Sequence, residues 1–333
     1  MLAIPSRNLF VTANEEDLVE DGAARATVMI YERSEAPPVY PMVAVGDDDL
    51  FGWGALSGLT ADVEQPGRLF AVSDSAYAEA SIFAIDASQS PATIVQRIVV
   101  TADGAPVENL DLEGISARSE GGFWLASEGN ASRTNRLIRV TDDGVVQEFV
   151  ELPESLTAGM TNNGLEGVAS VGAGDDEQVW PAVQREWADD APGQVKLVSY
   201  TPSTQEWGYV RYPLDTPDTG RIGLSEITAL GDGQFAIIER DNQIGQAARF
   251  KRLFVVSFDG VTPAPLGSEA PLVDKILVHD FMPDLLSTHG YAHDKIEGFT
   301  VDAAGVAYMA TDNDGVDDAS GETLFMAIDF QAP

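Results

Sequence analysis

Four short apolar runs decide the fold, and they read EGISA (113–117), FWLASE (123–128), RLIRV (136–140) and VVQEFV (145–150). The pairs Gly121-Gly122 and Asp143-Gly144 stand between runs and favour tight turns. Each run is rich in β-branched, aromatic or leucine residues and has the length of a single strand. The stretch therefore predicts a four-stranded antiparallel meander, whose strands we call A to D.

The meander recurs along the chain with a period of about 55 residues. On strand B, an aromatic residue is followed four positions later by a polar or acidic one, and strand periodicity places both on one face. The pairs are Phe10 with Asn14, Phe70 with Asp74, Trp124 with Glu128, Trp180 with Gln184, Phe235 with Glu239, and Tyr308 with Asp312. Four-stranded sheets repeated radially form a β-propeller, so these phrases predict an all-β propeller of six blades.

The repeats predict one propeller domain over residues 1–333. Residues 53–330 carry the clear repeats, whereas residues 1–52 supply a first blade that matches less well, because too few residues precede Phe10 for a full inner strand. The last unit also ends soon after its third strand. Propellers commonly close by combining strands from both termini, so one blade shared by the two ends would complete the ring.

The composition restricts the partners. The chain has 54 acidic and 19 basic residues, a formal net charge of -35, and no cysteine. Such a charge repels nucleic acid and anionic membranes and attracts cations, although a solvated acidic surface also accounts for an acidic excess. No apolar run approaches the roughly 18 residues that cross a bilayer. We expect a monomer that binds neither nucleic acid nor membrane.

The acidic residues of the repeat converge on one rim. Strand A leaves the rim and strand B returns to it, so the start of A and the end of B are neighbours. Starts of A carry Glu113, Glu166, Glu226 and Glu297, while ends of B carry Asp74, Glu128, Glu239 and Asp312. Crowded carboxylates raise each other's pKa unless they are solvated or hold cations, and Ca²⁺ suits such oxygen ligands. Alternatively, each Glu-Gly is a strand-start device whose carboxylate caps local backbone N–H groups.

A second acidic cluster follows the last strand B, from Asp312 to Asp318. Its alternating oxygen side chains and the bend at Gly315 resemble Ca²⁺-loop chemistry without the spacing of an EF-hand. Asp314 is therefore a further candidate ligand, and a solvated turn is the alternative. Scarce basic residues also lie near the same rim, among them Arg185, Arg240 and Lys295.

The ordered motifs resemble the phytase-like propeller domain family, often described as esterase-like activity of phytase. They are LEGI (112–115), GFWLASE (122–128), NNGLEGV (162–168), LSEI (224–227), IERD (238–241), KRLF (251–254), DKIEG (294–298) and TDNDG (311–315). The resemblance implies a propeller whose Asp and Glu residues support phosphoester hydrolysis, in a periplasmic or secreted protein. Two positions depart from the pattern, because Ser57 and Gln184 stand where the repeat carries an acid.

The leading hypothesis is a Ca²⁺-dependent phosphoric-ester hydrolase, a phytase-like phosphomonoesterase or phosphodiesterase that uses metal-activated water. One or more Ca²⁺ ions, or another divalent metal, would be held by Glu113, Glu166, Glu226, Glu239, Glu297, Asp312 and Asp314. The candidate catalytic residues are Glu113, Glu166, Glu239 and Glu297, together with Arg240, Arg185 and Lys295, which would neutralise the phosphoryl oxygens.

Two other functions remain open. The same metal centre could act on a carboxylic ester or lactone, and the scarcity of positive charge favours a neutral substrate. A non-enzymatic propeller that binds Ca²⁺ for stability is the third possibility, with its acids in structural roles. In the two enzymatic readings the partner is a small-molecule ester.

Overall fold

The computed structural model describes residues 2–14, 26–32, 42–46, 51–129, 134–217, 220–287, 292–293, 295–312 and 323–331. Within these ranges nearly all regular structure is β-strand, which confirms the all-β prediction. The helices are α1 (Glu154–Thr157), α2 (Met282–Leu285) and 3-10 turns at Pro5–Arg7 and Gly174–Asp176. None of the helices in the described ranges has the length and apolar character of a membrane span.

The N-terminal residues form a separate sheet of β1 (Leu2–Ile4), β2 (Leu9–Asn14) and β3 (Thr27–Glu32). The second sheet contains β4 (Val43–Val45), β5 (Leu56–Ala61), β6 (Arg68–Ser73), β7 (Ser81–Asp86) and β8 (Ala92–Val99). Its order is β4-β8-β7-β6-β5, with β4 parallel to β8 and the other pairs antiparallel. A short hairpin follows, made of β9 (Thr101–Ala102) and β10 (Ala105–Pro106).

The next two sheets are antiparallel meanders. One consists of β11 (Leu112–Ala117), β12 (Phe123–Ser127), β13 (Arg136–Val140) and β14 (Val146–Glu151). These strands match the predicted strands A to D. The other consists of β15 (Leu165–Val171), β16 (Gln178–Val183), β17 (Gln194–Thr201) and β18 (Glu206–Pro213).

The C-terminal third adds two sheets. The first consists of β19 (Ile222–Gly231), β20 (Gln234–Asp241) and β21 (Lys251–Ser257), followed after β22 (Ala264–Pro265) by β23 (Lys275–Asp280). Strand β22 joins the preceding sheet beside β18. The last sheet consists of β24 (Ile296–Val301), β25 (Ala307–Thr311) and β26 (Phe325–Ile328).

Aromatic side chains from strand B fill the space between neighbouring sheets. The Trp180 ring lies 5.9 Å from Phe235 of the next sheet, and the Phe70 ring lies 4.8 Å from Phe123. Trp124 is fully buried. Because such rings bury large apolar areas, they explain why the aromatic position of the repeat is so regular.

The strands β5, β11, β15, β19 and β24, which we call the first strands, surround a common axis. Glycines let them approach closely: a Cβ atom built onto Gly114 would lie 2.6 Å from the Val168 nitrogen. A Cβ atom built onto Gly298 of β24 would lie 3.0 Å from the Leu59 Cβ of β5. Strand β24 therefore packs directly against β5. The arrangement of the described residues is propeller-like.

Six blades are not confirmed. The contact between Gly298 and Leu59 leaves no room for a sixth first strand between β24 and β5. The sheet β1–β3, predicted to be the first blade, contributes none of the five first strands around the axis. Sharing of a blade by the termini is not seen among the described residues either, because β4 pairs with β8 of the sheet that follows it.

Candidate functional site

One end of the first strands gathers the residues of what we call the acidic mouth. Each first strand pairs with the strand that follows it in the chain, which we call its second strand. A register shift interrupts this pairing near the start of the first strand. On β11 the shift leaves Glu113 without a paired residue, between Leu112 and Gly114. Such bulges re-aim a side chain. The acidic mouth consists of Ser57, Glu113, Glu166, Ser225 and Glu297 on first strands and Asp74, Glu128, Gln184, Arg240 and Asp312 at ends of second strands.

Two carboxylates of the acidic mouth come together with that of Asp111, which directly precedes β11 and which we include in the acidic mouth from here on. Oxygen atoms of Asp111, Glu113 and Glu128 all lie within 4.8 Å of one another. Two of these carboxylates are fixed by backbone donors, since the Gly164 N–H donates to Glu128 at 2.7 Å and the Ser75 N–H donates to Asp111 at 3.1 Å. The group is therefore a cluster of carboxylate oxygens that could hold a metal ion.

Asp111 was not among the site residues predicted from the sequence. It stands two positions before Glu113, so the strand periodicity of two, which we used for strand B, would have placed both carboxylates on one face. The backbone brings Asp111 to Glu128 as well, because the Glu128 N–H donates to the Asp111 carbonyl at 2.8 Å.

The acidic mouth is short of positive charge. Burial raises the pKa of Glu113 well above its usual range, and the charges of Glu297 and Asp111 add to the effect. Burial likewise raises the pKa of Glu166, and it raises the pKa of Glu128 to about 7. A bound cation would remove this repulsion, so the residues present fit a divalent metal ion.

Glu297 is the exception, because basic residues surround it. Burial opposes its ionisation, but the charges of Arg240 and Lys295 outweigh burial and hold the pKa of Glu297 below its usual range. Arg240 donates to Glu297 at 2.5 Å, and Lys295 donates to Asp312 at 3.0 Å. Among the described residues no hydrogen-bond partner reaches Oδ1 of Asp312, which is buried.

The two departures from the repeat support neighbouring acids. Ser57 Oγ donates to Glu113 Oε2 at 2.7 Å and lies 3.3 Å from Glu297 Oε2. The Gln184 amide donates to Glu166. Both residues therefore supply hydrogen-bond donors to carboxylates that lack enough cations.

Glu226 lies one layer below the acidic mouth, contrary to the predicted position. The strand pairing makes Glu226 equivalent to Gly114 and Gly298. The residue equivalent to Glu113 is Ser225. The Glu226 carboxylate accepts backbone N–H groups from Leu59 at 3.0 Å and from Ile227 at 2.9 Å. Backbone N–H groups from two first strands therefore occupy the Glu226 carboxylate, and we do not retain it as a metal ligand.

Glu239 also lies away from the acidic mouth. It is fully buried and accepts hydrogen bonds from Tyr212 at 2.9 Å and Lys275 at 2.6 Å. Glu239 pairs with Leu224, just as Ser127 pairs with Leu112 in the sheet β11–β14. The next residue, Arg240, is therefore the one equivalent to Glu128 and lies in the acidic mouth. A shift of one residue turns a side chain to the other face of a strand, which explains the error.

Arg185 and Arg221 form a pair of positive charges beside the acidic mouth. The Arg185 side chain passes over Gly223, whose built Cβ would lie 3.3 Å from Arg185 Cγ, and Gly223 pairs with Arg240 across the sheet. Burial and the charge of Arg221 lower the pKa of Arg185. Within the described ranges no carboxylate lies within ion-pair distance of either guanidinium. Asp314 lies outside the described residues.

Comparisons with solved structures give only weak similarity. A luciferin-regenerating enzyme is 14% identical, over 78% of this chain and 69% of that chain, with a TM-score of 0.42. An α-L-arabinofuranosidase from Podospora anserina is 11% identical, over 90% and 99%, with a TM-score of 0.46. The Dos1 propeller is 10% identical, over 82% of this chain and 59% of that chain, less than two thirds of its length, with a TM-score of 0.36.

The sequence itself identifies a family. No curated protein sequence gives a significant match. A family model described as "Phytase-like: Esterase-like activity of phytase" matches residues 52–315, which is most of the chain. The matched region contains all five first strands and the whole acidic mouth. The chain therefore belongs to the phytase-like family.

Proposed function

We propose that this protein is a Ca²⁺-dependent ester hydrolase that acts in the acidic mouth, with a phosphoric ester as its substrate. The observation that carries the proposal is the approach of Asp111, Glu113 and Glu128 to within 4.8 Å. Three ionised carboxylates at this distance repel strongly when buried, and a divalent cation is the partner that makes the arrangement favourable. Membership of the phytase-like family supports the same reaction class.

The residues that would hold the ion are Asp111, Glu113 and Glu128, with Asp312 and Glu166 nearby. Ca²⁺ takes six to eight oxygen ligands, so water and substrate oxygens would complete the shell. When bound, such an ion offsets the charge of a phosphoryl group and lowers the pKa of a water molecule. Lys295 and Arg240 keep Asp312 and Glu297 in place beside it.

Arg185 and Arg221 would bind the anionic part of the substrate. Burial and the charge of Arg221 lower the pKa of Arg185 against the opposite effect of Glu186, and no carboxylate within the described ranges forms an ion pair with either guanidinium. A phosphate between two guanidiniums would relieve that repulsion and form charge-assisted hydrogen bonds. This positive pair gives an acidic protein a place for an anion.

A carboxylic ester or lactone is the second candidate substrate. Arg240 and Lys295, which were expected to neutralise phosphoryl oxygens, are already paired with Glu297 and Asp312. That pairing removes two of the three predicted cations from the substrate's reach and favours a neutral ester. The ion would then polarise a carbonyl oxygen in place of a phosphoryl oxygen.

Parallel assays on the purified chain test the proposal. Aryl phosphate monoesters and diesters, aryl acetates and lactones are each incubated with Ca²⁺ or with a chelator. The proposal predicts Ca²⁺-dependent turnover that is fastest on a phosphoric ester. Faster turnover of the acetate or lactone supports the second candidate. A rise in melting temperature with Ca²⁺ and no turnover of any ester contradicts both and indicates a binding protein.

A further inference from the structure

The channel along the axis is closed below the acidic mouth. Glycines occupy this layer on four first strands, while Glu226 occupies it on β19. Its carboxylate accepts backbone N–H groups from Leu59, Ile227 and Phe299, so one side chain joins β5, β19 and β24 across the axis. Only 1% of Glu226 is exposed to solvent. A ligand in the acidic mouth therefore has no passage to the opposite side.

Beyond this barrier the channel widens into a cavity of about 220 Å³ at the opposite mouth. The far ends of all five first strands line it, with residues 59–63, 115–117, 168–170, 227–229 and 300–303. Each first strand is the terminal strand of its sheet, and neighbouring first strands are joined at this edge by hydrogen bonds between side chains and backbone. The walls thus bring together side chains from all five first strands.

Hydroxyl groups add to these walls and keep unused hydrogen-bonding capacity. Thr60 Oγ1 accepts the Ala117 N–H at 3.0 Å, and Ser116 Oγ accepts the Ser170 N–H at 2.9 Å. A hydroxyl that has accepted one bond still has its proton and a second lone pair. Thr228 Oγ1 uses its proton on the Phe299 carbonyl and keeps its acceptor capacity. The cavity can therefore both donate and accept.

The charges around the cavity exclude an anion. Asp62 and Asp302 line it, whereas none of the described lining residues is basic. The Asp302 carboxylate already accepts N–H groups from Gly67, Ala304 and Val306 at 2.8 to 2.9 Å, which leaves it poorly placed to coordinate a metal ion. Apolar side chains such as Ala117, Ile115 and Val168 complete the lining. Hydroxyls and apolar surface together suit a neutral polyhydroxylated molecule.

We propose that this cavity is a second ligand site, separate from the acidic mouth, which binds a small neutral polyol or monosaccharide. The site does not depend on the proposed hydrolase activity, because Glu226 separates the two ends of the channel. It would bind free sugars or sugar groups at the end of the molecule that the acidic mouth does not use.

Ligand-observed saturation-transfer NMR on the full chain tests the site with D-ribose, D-glucose and erythritol as probes. We expect at least one probe to bind in the millimolar range. Ala303→Trp, at the exposed rim, should abolish the transfer by covering the opening. Thr228→Val should weaken binding about fivefold, as expected for one lost hydrogen bond.

Two controls locate the effect. Thr204→Val changes an exposed threonine that bonds Glu206 on an outer turn, so it should bind the probe like the unmodified chain. Asp111→Asn, in the acidic mouth, should also leave sugar binding unchanged. The proposal is overturned if none of the probes binds the unmodified chain, or if Ala303→Trp binds the probe as strongly as the unmodified chain does.

Discussion

Ser57 Oγ donates a 2.7 Å hydrogen bond to Oε2 of Glu113, on the neighbouring first strand. The same hydroxyl lies 3.3 Å from Oε2 of Glu297, so it stands between two carboxylates that repel each other. A serine at the acidic position of the repeat therefore stabilises the ionised mouth in place of adding a further charge. The position is part of the site even though it carries no carboxylate.

Ser57→Ala should weaken Ca²⁺ binding about tenfold. Hydrogen bonds to charged groups contribute about 1.5 to 3 kcal/mol, and without the hydroxyl Glu113 is harder to ionise. Isothermal titration calorimetry at neutral pH measures the affinity. Ser203→Ala is the control, because that hydroxyl bonds the Asp175 carbonyl on an outer turn and should have no effect. An unchanged affinity in Ser57→Ala would argue against a metal centre beside Glu113.

The stability of the metal-free protein should respond to the protonation of Glu128. Burial raises its pKa from 4.5 to about 7, so between these pH values the folded state holds a proton that the unfolded state has lost. Stability from this group therefore falls as pH rises through the window. In the presence of a chelator, the melting temperature of Glu128→Gln relative to that of the unmodified chain should rise from pH 5 to pH 7.

Added Ca²⁺ should reverse that difference, because the ion interacts favourably with the ionised carboxylate and the amide lacks its charge. With saturating Ca²⁺ at pH 7, the unmodified chain should melt above Glu128→Gln. A melting-temperature difference that stays constant across pH, with and without Ca²⁺, would contradict the assignment.

Glu239→Gln should reduce the free energy of unfolding by about 2 kcal/mol, because it replaces a charged hydrogen-bond partner of Lys275, which keeps Asp215 at 2.9 Å as its remaining carboxylate. Lys275 lies 2.6 Å from Glu239, and the Tyr212 hydroxyl donates to the same oxygen. The Ca²⁺ affinity of the folded variant should stay within about twofold. Chemical denaturation and calorimetry measure the two quantities. A large loss of Ca²⁺ affinity without loss of stability would restore Glu239 to the metal centre.

Arg185→Gln should raise KM about tenfold for an aryl phosphate and leave KM for an aryl acetate unchanged, since only the phosphate needs the positive pair. Arg221→Gln should act in the same direction. Arg136→Gln is the matched control, because Arg136 lies on β13, the third strand of its sheet, with its guanidinium near Glu151. Equal effects of Arg185→Gln on both esters would indicate a role in folding and not in anion binding.

Much of the fold follows from local patterns in the sequence. The runs between residues 113 and 150 become β11 to β14 with bounds that differ by about one residue. The number of blades does not follow, because Phe10 and Asn14 repeat the aromatic-polar phrase inside a sheet that contributes none of the first strands. Which sheets share a core depends on contacts between distant residues, and a short local phrase contains no such information.

The positions of the candidate site residues could be predicted wherever the sequence repeats were aligned in the same register as the strand pairing. Glu113, Glu166, Glu297 and Asp312 lie in the acidic mouth as expected. The predicted positions of Glu226 and Glu239 were wrong by one residue. Glu226 was aligned with the other repeats by its charge, and Glu239 by its spacing from Phe235. Alignment on Leu224 and Ile227, which match Leu112 and Ile115, would have assigned Ser225 and Arg240 to the mouth.

The position of the bound ion tests the central claim most directly. A crystal structure of the full chain with Ca²⁺, with the ion located by its anomalous scattering, should show it between Asp111, Glu113 and Glu128. The metal–oxygen distances should be about 2.3 to 2.6 Å. Ca²⁺ found only along residues 312–318, with none between these three carboxylates under conditions that support ester hydrolysis, would contradict the account.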